Sequence, residues 1–229
     1  MNAFPELLPA EVIKRAWKLE VSQLCDGMKK LNIYRSGCMD SKINPVDPTS
    51  RMVGTAVTVE TFNGDNYPIH LATYTVPDEG YIMVIDGKKF EGAAYLGDKI
   101  VAACKAMGYK GIVIDGLTRD RSGCIALQFP VFSRGLMPAG PIKKNQGKIN
   151  ETIICGDIPV SPGDLVCGDE DGVCVVPKKY IYKVLDEAEN KQKYENEREL
   201  IIKDYMEKKA TGKKLPQLSP QWVIDMIKR

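Results

Sequence analysis

Apolar positions along this chain follow two rhythms, one helical and one extended, and the clearest change between them falls near its middle. Ile100, Val101, Ala103, Cys104 and Met107 recur near helical spacing and stop at Gly108, a natural C-terminal breaker, so a helix is predicted from Asp98 to Met107. Gly111 and Gly116 then bracket the run Ile112-Val113-Ile114, which suits a buried strand. Such a helix is about 15 Å long. A strand of roughly five residues is about 17 Å long and, after a tight turn, runs back alongside it. The strand's carboxyl end then returns to the helix's amino end, so Asp98, Arg119 and Asp120 are expected at one edge.

The same reading places other elements. Residues 9–31 predict two helices: the first opens at Pro9 and carries Val12, Ala16 and Leu19, and the second is capped by Ser22 and carries Leu24, Met28 and Leu31. Residues 36–51 form an irregular passage, and Val53 to Phe62 alternates well enough to be a strand. A turn at 64–68, a helix over 67–75, a buried strand from Tyr81 to Asp86 and a loop over 87–96 follow. Beyond Asp120, Pro130 to Phe132 predicts a short strand and 135–150 a long loop, a type often functional in compact domains. Residues 152–177 predict a compact β-rich unit broken by glycine turns. Residues 178–209 predict a charged helix, solvated in its second half, before a last short helix from Gln221 to Lys228. The order strand, glycine, helix, strand argues for an α/β layer with a parallel component.

Composition narrows the function classes. The 229 residues hold 44% apolar side chains, enough for a sizeable core. Lys and Arg number 32 against 30 Asp and Glu, which gives no electrostatic case for nucleic acid as a partner. No apolar run approaches a membrane span, and the start Met-Asn-Ala-Phe-Pro-Glu lacks the regions of a signal peptide, so a soluble, cytoplasmic protein is expected. The seven cysteines form no C-x-x-C pair, and Cys104 and Cys174 read as core thiols. With His70 the only histidine, a histidine-based zinc site is disfavoured, and His70 itself reads as structural before it reads as a base. Neither a dinucleotide-binding glycine fingerprint nor a P-loop is present, and nothing suggests a methyltransferase cofactor loop.

The edge at 97–120 has the parts to bind an anion and a metal. The first backbone N–H groups of the helix, from Gly97 through Asp98 and Lys99 to Ile100, lack intrahelical partners and can hold a carboxylate or phosphate. Arg119 offers a planar fork for a carboxylate. Two neighbouring carboxylates suit Mg²⁺ or Mn²⁺ held mostly through water. The plainer alternative, an N-terminal helix acid beside an exposed turn pair, stays open on spacing alone.

The arrangement Asp98, twenty residues, Arg119-Asp120 resembles the signature of the RraA-like family, which includes 4-hydroxy-4-methyl-2-oxoglutarate aldolases and related oxaloacetate decarboxylases. Further stretches fall in that family's order: Ser22 to Met28 (with Gly27 where the family usually has Ala), Gly54 to Val59, Gly64-Asp-Asn66, Phe129 to Phe132 and Gly163 to Pro177. The resemblance runs from about residue 20 to 190 and implies an α/β/α sandwich like the swivelling phosphohistidine domain. Residues 1–190 would form the catalytic domain and 191–229 a C-terminal helical extension.

It also implies a divalent-metal-dependent lyase that cleaves 4-hydroxy-2-oxo acids to pyruvate and a second oxo acid, with oxaloacetate decarboxylation through the same enolate. Asp120 would be the direct metal ligand, and Asp98 would orient water on the metal. Arg119, with the backbone of Gly97, Asp98, Lys99 and Ile100, would hold the pyruvyl end of the substrate. A homotrimer or hexamer is implied, with the site at a subunit boundary and an acid from the neighbour, for which Glu170 and Asp171 are candidates by turn position. The competing expectation is a protein-binding regulator of ribonuclease activity, which some members of the family are; an oligomer with a purely structural role is a third. The paired acids Asp98 and Asp120 favour the enzyme.

Overall fold

The computed structural model describes residues 2–145 and 147–228. Met1, Gln146 and Arg229, which fall in the expected 1–190 and 191–229 segments (Gln146 also in the expected loop at 135–150), lie outside the described residues. In chain order the elements are α1 (Ala10–Ala16), α2 (Val21–Lys30), β1 (Asn44–Pro45), β2 (Met52–Thr61), α3 (Tyr67–Thr75), β3 (Tyr81–Asp86), β4 (Ala94–Leu96), α4 (Asp98–Ala106) and β5 (Gly111–Thr118). Then come α5 (Arg121–Ala126), β6 (Val131–Leu136), β7 (Gly147–Ile149), β8 (Ile153–Cys155), β9 (Ile158–Val160), β10 (Leu165–Asp169), β11 (Gly172–Val176), α6 (Ile181–Ala210) and α7 (Gln221–Ile227).

The main sheet runs β1-β6-β5-β3-β2-β10-β11, with β4 added to the end of β5 and β7 to the end of β2. Its centre, β2-β3-β5-β6, is parallel, and antiparallel pairs flank it. This is the mixed α/β fold expected. One face packs Val57, Val59, Met83, Ile85, Ile112 and Ile114 against Ile69 and Ala72 of α3 and Val101 and Cys104 of α4. The other packs Ala56, Ile82, Val84, Val113, Phe132 and Val166 under Met39, Ile43 and the β8–β9 hairpin. A third cluster joins α1, α2 and the start of α6 to Leu165, Cys167, Cys174 and Val176.

The strand expected from Val53 to Phe62 is present as β2, with every residue but Glu60 buried, because a central strand is covered on both sides. Several expectations change. Ser22 does not cap α2; Glu20 does, in a capping box whose Gln23 Oε1 accepts the Glu20 N–H at 3.1 Å. The stretch 87–96 is not all loop, since Ala94–Leu96 pairs in parallel with Leu117 and Thr118. The long loop at 135–150 likewise begins inside β6 and contains β7. Nor is 152–177 a unit of its own: β10 pairs with β2 and carries β11 into the main sheet, leaving β8–β9 as a separate hairpin. Cys104 and Cys174 are buried as expected.

The chain divides into two compact units, one ending at Ala188 and one starting at Glu189. In the second unit no described residue is buried, and Leu200, Met206, Trp222 and Met226 stand exposed. Arg198 Nη2 donates to the Leu218 carbonyl at 2.8 Å, tying the chain before α7 back to α6. Among the described residues no helix is long and apolar enough to cross a membrane.

Phe132 is wholly buried in the second-face cluster. Phe132→Ala should therefore lower the unfolding free energy by about 3–5 kcal/mol, measured by urea denaturation followed by circular dichroism.

Candidate active site

The site is assembled by one latch between two short parallel strands. The carbonyl of Leu96, last in β4, accepts both the Arg119 N–H at 3.0 Å and the Thr118 hydroxyl at 2.9 Å. Chain positions more than twenty residues apart are thereby fixed side by side, with α4 leaving from one and α5 from the other. The predicted helix and strand are both present, and Asp98, Arg119 and Asp120 do meet at one edge.

Close approach explains the glycines there. Gly97 has extended backbone (φ −146°, ψ −168°) that any residue adopts, but a Cβ on it would strike Asp120 Oδ2 and lie 3.0 Å from Arg119 Cγ. A Cβ on Gly123, in α5, would sit 2.9 Å from Asp98 Oδ2. Both carboxylates are thus packed against bare backbone. Asp120 itself is left-handed (φ 58°, ψ 42°), a conformation that Asp tolerates better than most residues. Although it stands at the N-cap of α5, its side chain makes no capping hydrogen bond, so the carboxylate remains available for other work.

Arg119 Nε lies 3.4 Å from Asp120 Oδ2, an ion-pair distance, yet it is buried without a hydrogen-bond partner among the described residues. A buried donor left unmatched is costly, and an acceptor supplied by a ligand would relieve it. Asp98 Oδ2 contacts Lys99 Nζ at 3.0 Å, but that lysine is 93% exposed and the pair is screened by water. No side chain caps α4, whose first turn offers its amides beside these groups.

These residues wall a cleft of about 360 Å³, which also takes in Asn66, His70, Gly140 and Lys143. Neither Asn66 nor Lys143 was singled out as a site residue from the sequence, and His70, read there as structural, stands on the cleft wall. Asn66 is 2% exposed, and its Oδ1 has no hydrogen-bond partner among the described residues. They arrive through a bridge between Asp65 and Ile142, reinforced by the Asn66 N–H on the Ile142 carbonyl at 3.0 Å. Burial, helped by Lys143, lowers the pKa of His70 and favours its neutral form. Glu170 and Asp171 are not among the walls of this cleft in one chain.

Among the described residues no group of three or more His, Cys, Asp or Glu is arranged to hold a metal ion. The donors present, two carboxylates and no sulfur or imidazole pair, do fit a hard divalent cation that keeps several waters and shares its shell with a substrate.

Fold and cleft together define a mixed α/β protein with a cleft at the carboxyl ends of parallel strands. The chain belongs to the RraA-like family, described as Aldolase/RraA, whose profile matches residues 21–175. A protein of Halalkalibacterium halodurans named "Putative 4-hydroxy-4-methyl-2-oxoglutarate aldolase" is 38% identical over 184 residues, 80% of this chain and 83% of the relative. An uncharacterized protein from Pseudomonas syringae superposes with a TM-score of 0.72 at 26% identity, over 92% of this chain and 97% of that one. Streptomyces coelicolor RraAS2, called an unusual member of an RNase ES inhibitor family, shares the fold with a TM-score of 0.75 at 23% identity, over 84% and 98% of the two chains.

Because Gly97 has no room for a side chain, Gly97→Ala should displace Asp120 and cost about 1–3 kcal/mol of stability. Thermal unfolding measures this, and an unchanged Tm would mean that Arg119 and Asp120 move aside freely.

Proposed function

We propose that the cleft is the active site of a metal-dependent lyase that cleaves 4-hydroxy-2-oxo acids, such as 4-hydroxy-4-methyl-2-oxoglutarate, to pyruvate and a second oxo acid. The observation that carries this reading is the meeting of Asp98, Asp120 and an Arg119 with an unmatched Nε at the uncapped end of α4. Family membership and the aldolase name borne by a relative at 38% identity support it.

Arg119 grips the substrate carboxylate through its planar fork, and the first-turn amides of Gly97, Asp98 and Lys99 hold the same pyruvyl end, the Ile100 N–H being given to the Gly97 carbonyl at 3.1 Å. Asp98 takes up the C4 hydroxyl proton as the C3–C4 bond breaks, leaving the carbonyl of the second product and the enolate of pyruvate. Asp98 then returns that proton to C3 of the enolate, which completes pyruvate and restores the Asp98 carboxylate. Asp120, with Asp98 beside it, would hold Mg²⁺ or Mn²⁺, which supplies Lewis-acid polarisation of the keto oxygen when bound. Oxaloacetate yields the same enolate by losing CO₂, so one set of residues serves both reactions. We further propose a homotrimer or hexamer, with a neighbour's acid completing the cleft.

The second reading, a protein-binding regulator of a ribonuclease, draws on the fold shared with the Streptomyces protein. The two carboxylates set beside an arginine in a cleft favour the enzyme. Pyruvate release from a panel of 4-hydroxy-2-oxo acids and oxaloacetate separates the two, and no release from any of them with Mg²⁺ present would sink the proposal. Excess chelator should abolish turnover, and added Mg²⁺ or Mn²⁺ should restore it. Asp120→Ala should remove metal dependence and activity without unfolding the chain. Arg119→Lys keeps the charge but loses the fork, for a cost of roughly 1.5–3 kcal/mol, or about 10- to 150-fold in kcat/KM. Sedimentation should give a particle well above the 25.4 kDa of one chain, three or six copies in mass.

A further inference from the structure

Away from the cleft, four of the seven cysteines gather where α2 crosses β10 and β11. Cys25 projects from α2, Cys38 follows the turn at Tyr34–Gly37, and Cys167 and Cys174 face each other across the β10–β11 pair. The Sγ atoms of Cys25 and Cys38 are 2.7 Å apart, with the Cys38 thiol donating to Cys25. Cys167 and Cys174 are buried, whereas Cys25 and Cys38 are only half-buried. The latter two open onto a second cleft of about 380 Å³, bordered also by Ser22, Asp26, Asp40 and Asp171.

The proximity is built into the backbone. Cys38 bridges to Cys174 on β11, and its N–H donates to the Arg35 carbonyl at 3.0 Å. Just before it, Gly37 is left-handed (φ +64°), with no room for a Cβ against Met28 and the Val175 carbonyl. The turn is thus pinned between α2 and β11, and the Cys38 sulfur cannot drift far from Cys25. Among the described residues no cysteine-containing group is arranged to hold a metal, so chelation does not account for the cluster.

We propose that Cys25 and Cys38 form a peroxide-reactive thiol pair that closes reversibly to an intramolecular disulfide. Thiol hydrogen bonds from Cys174 and then Cys38 push the Cys25 pKa down to about 4, against burial and the nearby Asp26 and Asp169. The same bond to Cys25 raises the pKa of Cys38, which keeps its proton. Because the Cys38 thiol donates its hydrogen to the Cys25 sulfur, Cys25 is assigned as the attacking sulfur and Cys38 as the resolving thiol. In the first step the Cys25 thiolate attacks a peroxide oxygen, the O–O bond breaks, and the departing hydroxide takes a proton to become water. This leaves Cys25 as a sulfenic acid. In the second step the Cys38 sulfur displaces the sulfenic hydroxyl, which leaves as water with the Cys38 proton. Two thiols are oxidised by two electrons, and one hydrogen peroxide is reduced to two waters.

The test treats the full-length protein with stoichiometric hydrogen peroxide and combines thiol titration with peptide mapping under non-reducing conditions. Two of the seven thiols should be lost, a Cys25–Cys38 linked peptide should appear, and dithiothreitol should restore both thiols. Cys38→Ser should leave a sulfenic acid at Cys25 that dimedone traps. Cys25→Ser should slow peroxide-driven thiol loss at least about tenfold. Retention of all seven thiols, a link that maps to other cysteines, or equal rates in wild type and Cys25→Ser would each overturn the proposal. The wild-type mapping decides the matter even if either variant fails to fold.

Discussion

The Leu96 carbonyl is the point on which the candidate site depends. By accepting from both the Thr118 hydroxyl and the Arg119 amide, it joins the ends of β4 and β5 and so sets where α4 and α5 begin. Asp98, Arg119 and Asp120 all lie within two residues of that junction. Gly97 follows the acceptor, Asp98 follows Gly97, and Asp120 follows the donor. The glycine allows the two chain segments to touch, and the left-handed Asp120 turns the chain from strand into helix while leaving its carboxylate uncommitted.

What the sequence disclosed depended on how local the cause was. The pairing of α4 with β5 was legible because helical spacing, Gly108 and the run Ile112-Val113-Ile114 lie next to each other, and the two lengths match. Resemblance to a known family added the roles of Asp98, Arg119 and Asp120, which spacing alone left open between a site and a solvated turn. β4 was not legible: three residues carry too little periodicity, and its pairing follows from the register of β5. Asn66 and Lys143 were missed as site residues for a similar reason, since they reach the cleft only through the pairing of Asp65 with Ile142. β10 and β11 looked like a separate unit because their partner, β2, lies more than a hundred residues earlier.

The buried charges on the opposite face of the sheet show how the fold tolerates polar groups beside the core. Arg134 Nε donates to Asp115, its Nη2 donates to Asp40 at 2.8 Å, and Asp115 also accepts the Gly156 N–H at 2.9 Å. Arg134 and Asp115 are almost fully excluded from water, so removing either would strand the other. Their hydrogen bonds tie β5 and β6 to the turn between β8 and β9. The strand that leads into Arg119 and Asp120 is therefore tied down from behind.

The same junction at Leu96 gives the cleft a particular genealogy within the fold. Its acids, its arginine and the helix amides all come from the single run Gly97–Asp120, and closing so short a loop costs little chain entropy. The chemical edge is thus one contiguous cassette, while the loop of Asn66, His70 and the 140–143 segment is brought in from elsewhere. A duplication, permutation or loop exchange that spares the cassette leaves the two carboxylates and the arginine together and remakes the opposite wall. The two walls of the cleft are thus set by separate stretches of the chain.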